Sequence, residues 1–215
     1  RPGGGAADRG GRAFAAAARQ LPYFLLAAML AAHAGVRVLL HGGPGAGEAS
    51  TRHGLAALGL PMARSAGEAA ELLDGPGLAY LPLESLCPPL AELFVLKPVL
   101  GVRTAANSVA RALNPSGAPA QIQGVFHPPY VPLHVATQIA LGQPRALTFK
   151  GGGGEGQRNP DKPCRSTALV DGAARELVWP QLAAPGWPWR GEPRPTRPRP
   201  PPSPRRWCPP APRPA

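Results

Sequence analysis

Cysteine and acidic residues are scarce in this chain of 215 residues. Its three cysteines, Cys87, Cys164 and Cys208, are scattered and form no Cys-x-x-Cys pair, which argues against a disulfide scaffold and against a zinc site. No Gly-Lys-Ser/Thr follows a glycine-rich stretch, so the chain has no P-loop. Nothing in it resembles a nucleophilic triad, and no His or Cys cluster has the spacing of metal ligands.

The chain also lacks an apolar run long enough to cross a membrane, which takes about 20 residues. The run within residues 22–34 is shorter, and its Arg-containing flank gives it some likeness to a signal peptide. Pro22 suits a first helical turn and Gly35 suits a helix end, so we predict a buried helix instead.

The shortage of acids leaves a formal net charge of +11. Residues 1–170 hold 15 Lys or Arg against 9 Asp or Glu, and residues 171–215 hold 8 against 3. Nearly half of the excess therefore belongs to the C-terminal tail. Positive charge favours polyanionic partners, and a solvated basic surface is the alternative explanation.

Composition divides the chain into three parts. Residues 1–19 mix Gly, Ala and Arg without periodicity and lack an initiator Met, so we expect a disordered or non-native segment. Residues 171–215 become rich in Pro and Arg and offer too few aliphatic side chains to offset the entropy of ordering, so we expect a disordered tail. Residues 20–170 form the globular part. We expect truncation at both ends, which resequencing the locus would test.

Helix and strand signals alternate through residues 20–150 and predict an α/β fold with a largely parallel sheet flanked by helices. Ser65 and Glu68 form a capping box, in which each side chain accepts a backbone hydrogen bond of the other residue. The predicted helices cover residues 22–34, 53–58, 65–74, 88–96, 104–113 and 132–141, and the predicted strands cover residues 36–40, 78–81, 121–126 and 145–149.

Two glycine-rich loops follow predicted strands, at residues 41–47 and 150–162. The ligand site of an open α/β sheet lies beyond the carboxyl ends of its strands, so these loops are candidate site elements. Glycine lets backbone amides approach a phosphate, and Lys150, Arg158 and Lys162 add positive charge to the second loop. A flexible turn is the alternative for the first loop, and a mobile surface hairpin for the second.

Several motifs in order resemble the anthranilate phosphoribosyltransferase family. They are His-Gly at 41–42, Leu-Gly-Val-Arg-Thr-Ala-Ala-Asn at 100–107, Asn-Pro at 114–115 and Gln-Gly-Val-Phe at 123–126. The sequence of residues 107–115, 121–130 and 158–161 is closer to paralogues described as nucleic-acid-binding. The resemblance implies a nucleoside phosphorylase/phosphoribosyltransferase-like fold that lacks most of its N-terminal helical domain. It also implies a cytoplasmic homodimer for the full-length protein.

The resemblance further implies where this chain departs from the enzymes. The acidic pair that holds magnesium on phosphoribosyl pyrophosphate corresponds to Gly156 and Gln157, and an arginine that recognises anthranilate corresponds to Lys97. Without carboxylates a hard divalent cation loses its natural oxygen ligands. We therefore expect no catalytic residue, no metal and no cofactor; Glu155 and Asp161 are the substitute ligands if magnesium binds with phosphoribosyl pyrophosphate.

The leading hypothesis is a protein that binds DNA or RNA through backbone phosphates, without strong sequence preference and without a membrane partner. The expected phosphate or nucleic-acid contacts are His41, Gly42, Arg52, Lys97, Arg103, Asn107, Arg111, Lys150, Gly151, Gly152, Arg158 and Lys162. Phe126, His127 and Tyr130 are expected in core or turn packing, with single-strand stacking as the alternative. The alternative function is a glycosyltransferase that moves phosphoribose to anthranilate or a similar aromatic amine in tryptophan biosynthesis. A third is an inactive remnant.

Overall fold

A computed structural model describes residues 21–44, 50–101 and 104–182. The helices are α1 (Phe24–His33), α2 (Thr51–Ala57), α3 (Ala66–Asp74), α4 (Leu83–Leu86), α5 (Pro88–Glu92), α6 (Leu96–Leu100), α7 (Ala106–Ala112) and α8 (Val131–Ala140). The strands are β1 (Val38–Gly42), β2 (Leu78–Pro82), β3 (Ala120–Val125), β4 (Arg145–Lys150), β5 (Cys164–Val170) and β6 (Ala173–Trp179). Short 3-10 turns lie at Leu93–Val95, Pro128–Tyr130 and Gly152–Gly154. The predicted α/β class is confirmed.

The strands form two sheets, and their pairing is mixed. β1 pairs with β2 and β3 pairs with β4, both in parallel. β5 pairs with β4 and with β6, both antiparallel, so the order of the larger sheet is β3-β4-β5-β6. The prediction of a largely parallel sheet therefore holds for the two helix-linked pairs and misses the β5–β6 hairpin. β6 also carries the sheet beyond residue 170, where the disordered tail was expected to begin.

The apolar face of α1 packs on the smaller sheet. Leu25 is 1% exposed and clusters with Leu55 of α2 and Tyr80 of β2. The opposite face of α1 is exposed to solvent, and Leu30 on it is 70% exposed. The prediction of a buried helix is thus correct for one face only. Within the three described ranges, no helix has both the length and the apolar character that a membrane span requires.

The start of α3 shows half of the expected capping box. The Ser65 hydroxyl accepts a hydrogen bond from the Glu68 backbone N–H at 3.1 Å. The Glu68 carboxylate accepts from the backbone N–H of Arg64, at 2.8 Å, instead of from that of Ser65. The Arg64 guanidinium also pairs with this carboxylate at 3.2 Å, which accounts for the shift by one residue.

Buried hydrogen bonds connect α8 and α7 to β3. His134 of α8 lies 2.8 Å from Gln123 of β3, between ring nitrogen Nδ1 and amide oxygen Oε1. The same Gln123 amide donates to the Arg111 carbonyl oxygen of α7 at 2.8 Å. Both side chains are more than nine-tenths buried. The end of α7 is therefore held against the carboxyl half of β3.

Candidate phosphate-binding site at the strand ends

His41 and Gly42 end β1 at the edge where the parallel strands terminate. Burial lowers the pKa of His41, and a hydrogen bond to the Leu113 backbone partly opposes that shift. The His41 ring is therefore neutral near pH 7 and acts as a hydrogen-bonding group, not as a cation. The Tyr80 hydroxyl of β2 donates to the Gly42 carbonyl oxygen at 3.3 Å and so holds this end of β1.

The second glycine loop forms a tight 3-10 turn. Gly153 and Gly154 have φ values of 66° and 85°, which favour glycine because a Cβ would crowd the backbone. The Gly151 N–H donates to the Val125 carbonyl at 2.9 Å, and the Gly152 N–H donates to the Gln157 carbonyl at 2.7 Å. Gly154 and Glu155 donate within the turn itself. Three of the four glycine amides that the sequence offers as phosphate donors, those of Gly151, Gly152 and Gly154, are therefore engaged inside the protein.

The turn is pressed onto the ends of β3 and β4. A Cβ added to Gly124 or to Gly151 would collide with the carbonyl oxygen of Glu155. Arg111 of α7 reaches the turn from the side, with its Nε 3.4 Å from the Gly154 carbonyl oxygen. Since Leu113, just after α7, contacts His41, helix α7 joins the two loops. The first loop begins at the end of the smaller sheet and the second at the end of β4 in the larger sheet.

The predicted cations have different surroundings. Arg52 forms an ion pair with Glu84, and its buried Nε has no hydrogen-bond partner. The Arg158 guanidinium lies 5.2 Å from the centroid of the Trp179 ring and donates to the Pro180 carbonyl at 3.0 Å. These contacts stabilise the end of β6. Arg103 and the Lys97 side chain lie outside the described residues.

Lys150 and Lys162 face a cleft between α8 and the β5–β6 hairpin. The cleft has a volume of about 1020 Å³, and Gly151 and Gly152 also line it. Arg165 of β5 adds a third cation that the sequence reasoning missed, because no strand was predicted there. Asn107, also predicted to contact phosphate, donates from its side-chain amide to the Thr104 carbonyl at 3.3 Å, just before α7 begins.

Three aromatic side chains, expected in core or turn packing, are exposed. Phe126 is 41% and Tyr130 is 49% exposed, and His127 lies between them with ring-centroid distances of 4.6 and 6.3 Å. The Lys150 ammonium is 5.9 Å from the centroid of the Phe126 ring. Core packing was therefore wrong for these side chains, whereas turn packing agrees with the 3-10 turn Pro128–Tyr130 just before α8.

The positions that the resemblance assigns to magnesium do not fit a magnesium ion. Gly156 has no side chain, and Gln157 is 8% exposed with both amide atoms engaged. Its Oε1 accepts from the Phe24 N–H at 3.2 Å and its Nε2 donates to the Leu21 carbonyl at 3.0 Å. Asp161 keeps one buried oxygen without a hydrogen-bond partner. Among the described residues, no three His, Cys, Asp or Glu side chains group as metal ligands would.

Comparison with known proteins agrees with this architecture. A profile of the glycosyl transferase family, a/b domain, matches residues 24–176. The chain is 32% identical over 153 residues to anthranilate phosphoribosyltransferase of Methylibium petroleiphilum, covering 71% of this chain and 44% of that protein. It is 30% identical over 148 residues to anthranilate phosphoribosyltransferase 1 of Ralstonia nicotianae, covering 68% and 43%. The chain thus spans less than half the length of these curated relatives.

Solved structures give the same result. Anthranilate phosphoribosyltransferase of Thermus thermophilus superposes with a TM-score of 0.60 at 29% identity, over 71% of this chain and 45% of that one. The Saccharomyces cerevisiae enzyme in complex with PRPP and Mg has a TM-score of 0.60 over 74% and 45%, and at 17% identity it supports the fold alone. Because the family profile covers most of the chain, this protein belongs to the glycosyl transferase family through its α/β domain.

Proposed function

We propose that the chain is the α/β domain of a phosphoribosyltransferase-type protein and that its strand-end site takes a phosphorylated ribose. The complete protein would then transfer phosphoribose to anthranilate or a similar aromatic amine. This proposal replaces nucleic-acid binding, which was the leading hypothesis from the sequence alone. The observation that carries this proposal is the junction of residues 41–42 and 150–154 through α7. Open α/β sheets bind ligands at that edge. The family relationship favours the same substrate class.

The residues at this edge have distinct parts in the proposal. Lys150, at the end of β4, and Arg111, beside the turn, supply positive charge to phosphate oxygens. His41 is neutral and offers a hydrogen bond, which suits a ribose hydroxyl. Magnesium would neutralise a pyrophosphate leaving group, but positions 156 and 157 hold no carboxylate for it, so we assign no metal-dependent step. We expect slow transfer.

A pair of cations on one strand gives a matched test. Lys150 lies at the carboxyl end of β4, and Arg145, also exposed, lies at its amino end. Calorimetry with phosphoribosyl pyrophosphate should show that Lys150→Met weakens binding at least about tenfold, since a hydrogen bond to a charged group contributes about 1.5–3 kcal/mol. Arg145→Met should bind as the wild type does. Equal losses in both variants, or none in either, would overturn the proposal.

The exposed aromatic rings favour a second function, binding of single-stranded nucleic acid. Phe126, His127 and Tyr130 form a continuous exposed face beside Lys150. Stacking of a base on an aromatic ring contributes about 1–3 kcal/mol and tolerates any sequence. Loss of the metal-binding acids near a basic cleft points the same way, since phosphate contacts need no metal. With either function, we expect the full-length protein to be a cytoplasmic homodimer.

Fluorescent single-stranded and duplex oligonucleotides, titrated across a salt series, test the second function. Tyr130→Leu should weaken single-strand binding, whereas Leu133→Ala, an exposed change on α8, should not. Affinity should fall steeply with salt because counterions are released on binding. Undetectable or salt-insensitive binding would remove this candidate and leave the transferase proposal untouched.

A further inference from the structure

Gln157 links two parts of the fold that are far apart in sequence. Its side chain lies between the second glycine turn and the start of α1, and it bonds to Phe24 and Leu21, which are 133 and 136 residues away. Its own carbonyl oxygen accepts the Gly152 N–H at 2.7 Å. One residue therefore closes the turn with its backbone and holds the helix start with its side chain.

The chemistry of this contact requires an amide. The Phe24 N–H, in the first turn of α1, needs an acceptor because it has no partner within the helix. The Leu21 carbonyl oxygen accepts the Tyr23 N–H at 2.8 Å and takes the Gln157 Nε2–H as a second donor. A primary amide offers both at once, whereas a carboxylate offers acceptors only and would face the Leu21 oxygen without a proton between them. A glutamate at 157 would thus lose one bond and bury uncompensated charge at a position that is 8% exposed.

We infer that Gln157 is a positioning residue that clamps the second glycine turn to the start of α1, and that the position corresponding to a magnesium ligand in the family has become a structural contact. The clamp acts on the turn that accepts the Arg111 guanidinium at Gly154. This inference concerns packing and stands whether or not the proposed ligand binds.

Hydrogen exchange can measure the clamp residue by residue. Gln157→Met keeps the length of the side chain but removes both hydrogen bonds. Exchange of the Phe24 and Gly152 amides should then quicken about tenfold, as expected for the loss of a bond worth about a tenfold equilibrium change. Gln143→Met is the matched control, because Gln143 is equally buried at 8% and bonds to Asn114 on another side of the sheet.

The alternative, a surviving metal site, makes opposite predictions. Magnesium chloride titrated into the wild-type protein should leave exchange in residues 151–157 unchanged, and adding it to Gln157→Glu should not restore the protection that this variant loses. Magnesium-dependent protection in either protein would overturn the inference. So would unchanged exchange at Phe24 in Gln157→Met. The wild-type titration decides the question even if a variant fails to fold.

Discussion

Replacement of Gly124 by alanine tests how tightly the second glycine turn is seated on the sheet. Gly124 does not have a positive φ, so alanine meets no conformational strain there. Its Cβ would instead collide with the Glu155 carbonyl oxygen, a backbone atom whose residue is held by a 3.1 Å hydrogen bond to Gly152. Backbone cannot rotate away as a flexible side chain does, so the turn or the end of β3 must move.

The expected cost of Gly124→Ala follows from that collision. Overpacking a tight site costs about 1–3 kcal/mol, and a backbone obstacle places this case near the upper end, at about 2–3 kcal/mol. For a chain of this size that lowers Tm by about 4–12 °C. Gly156→Ala is the control, because a Cβ there meets nothing within 4 Å, and it should change stability by less than about 0.5 kcal/mol.

Thermal and urea unfolding, each followed by circular dichroism, measure both variants. Gly124→Ala should also loosen the turn and quicken hydrogen exchange of the Gly152 amide, which bonds to Gln157 in the closed turn. If Gly124→Ala and Gly156→Ala unfold at the same temperature, the turn does not rest on β3. The second loop would then not be held at the strand ends, contrary to what we expect.

Two further predictions concern stability. Ser65→Ala should lower the free energy of unfolding by about 1 kcal/mol in urea titrations because α3 loses its cap, whereas the exposed Ser116→Ala should not. Burial lowers the pKa of His41 and of His134, so the unfolded chain binds more protons than the folded chain below about pH 6.5. Stability should therefore fall as pH drops from 7 to 5, and His134→Gln should flatten that slope.

Local signals were sufficient for most of the elements. β1 was placed by its aliphatic run and α3 by Ser65, and both lie within two residues of the predicted bounds. The β5–β6 hairpin was missed although Asp171-Gly172 is a strong hairpin signal. These two residues have φ values of 48° and 82°, as a tight two-residue turn requires. The Arg-rich composition of the tail concealed that signal.

The site was only partly predictable, for a physical reason. Its place at the strand ends follows from topology, which alternating strands and helices reveal. The hydrogen-bond partners of Gln157 and Arg111 cannot be predicted from topology, because each contact joins residues separated by dozens of positions. The exposure of the Phe126 and Tyr130 rings likewise depends on how the segment before α8 packs on the rest of the fold. Such tertiary contacts leave no periodic mark in the sequence.

Amide exchange of the wild-type protein, measured with and without phosphoribosyl pyrophosphate, tests the central claim most directly. Binding at the strand ends should protect residues 41–43 and 151–156 and leave the opposite edge, at Gly142 and Asp171, unchanged. Protection at that opposite edge, or none anywhere at saturating ligand, would contradict the assignment of the site.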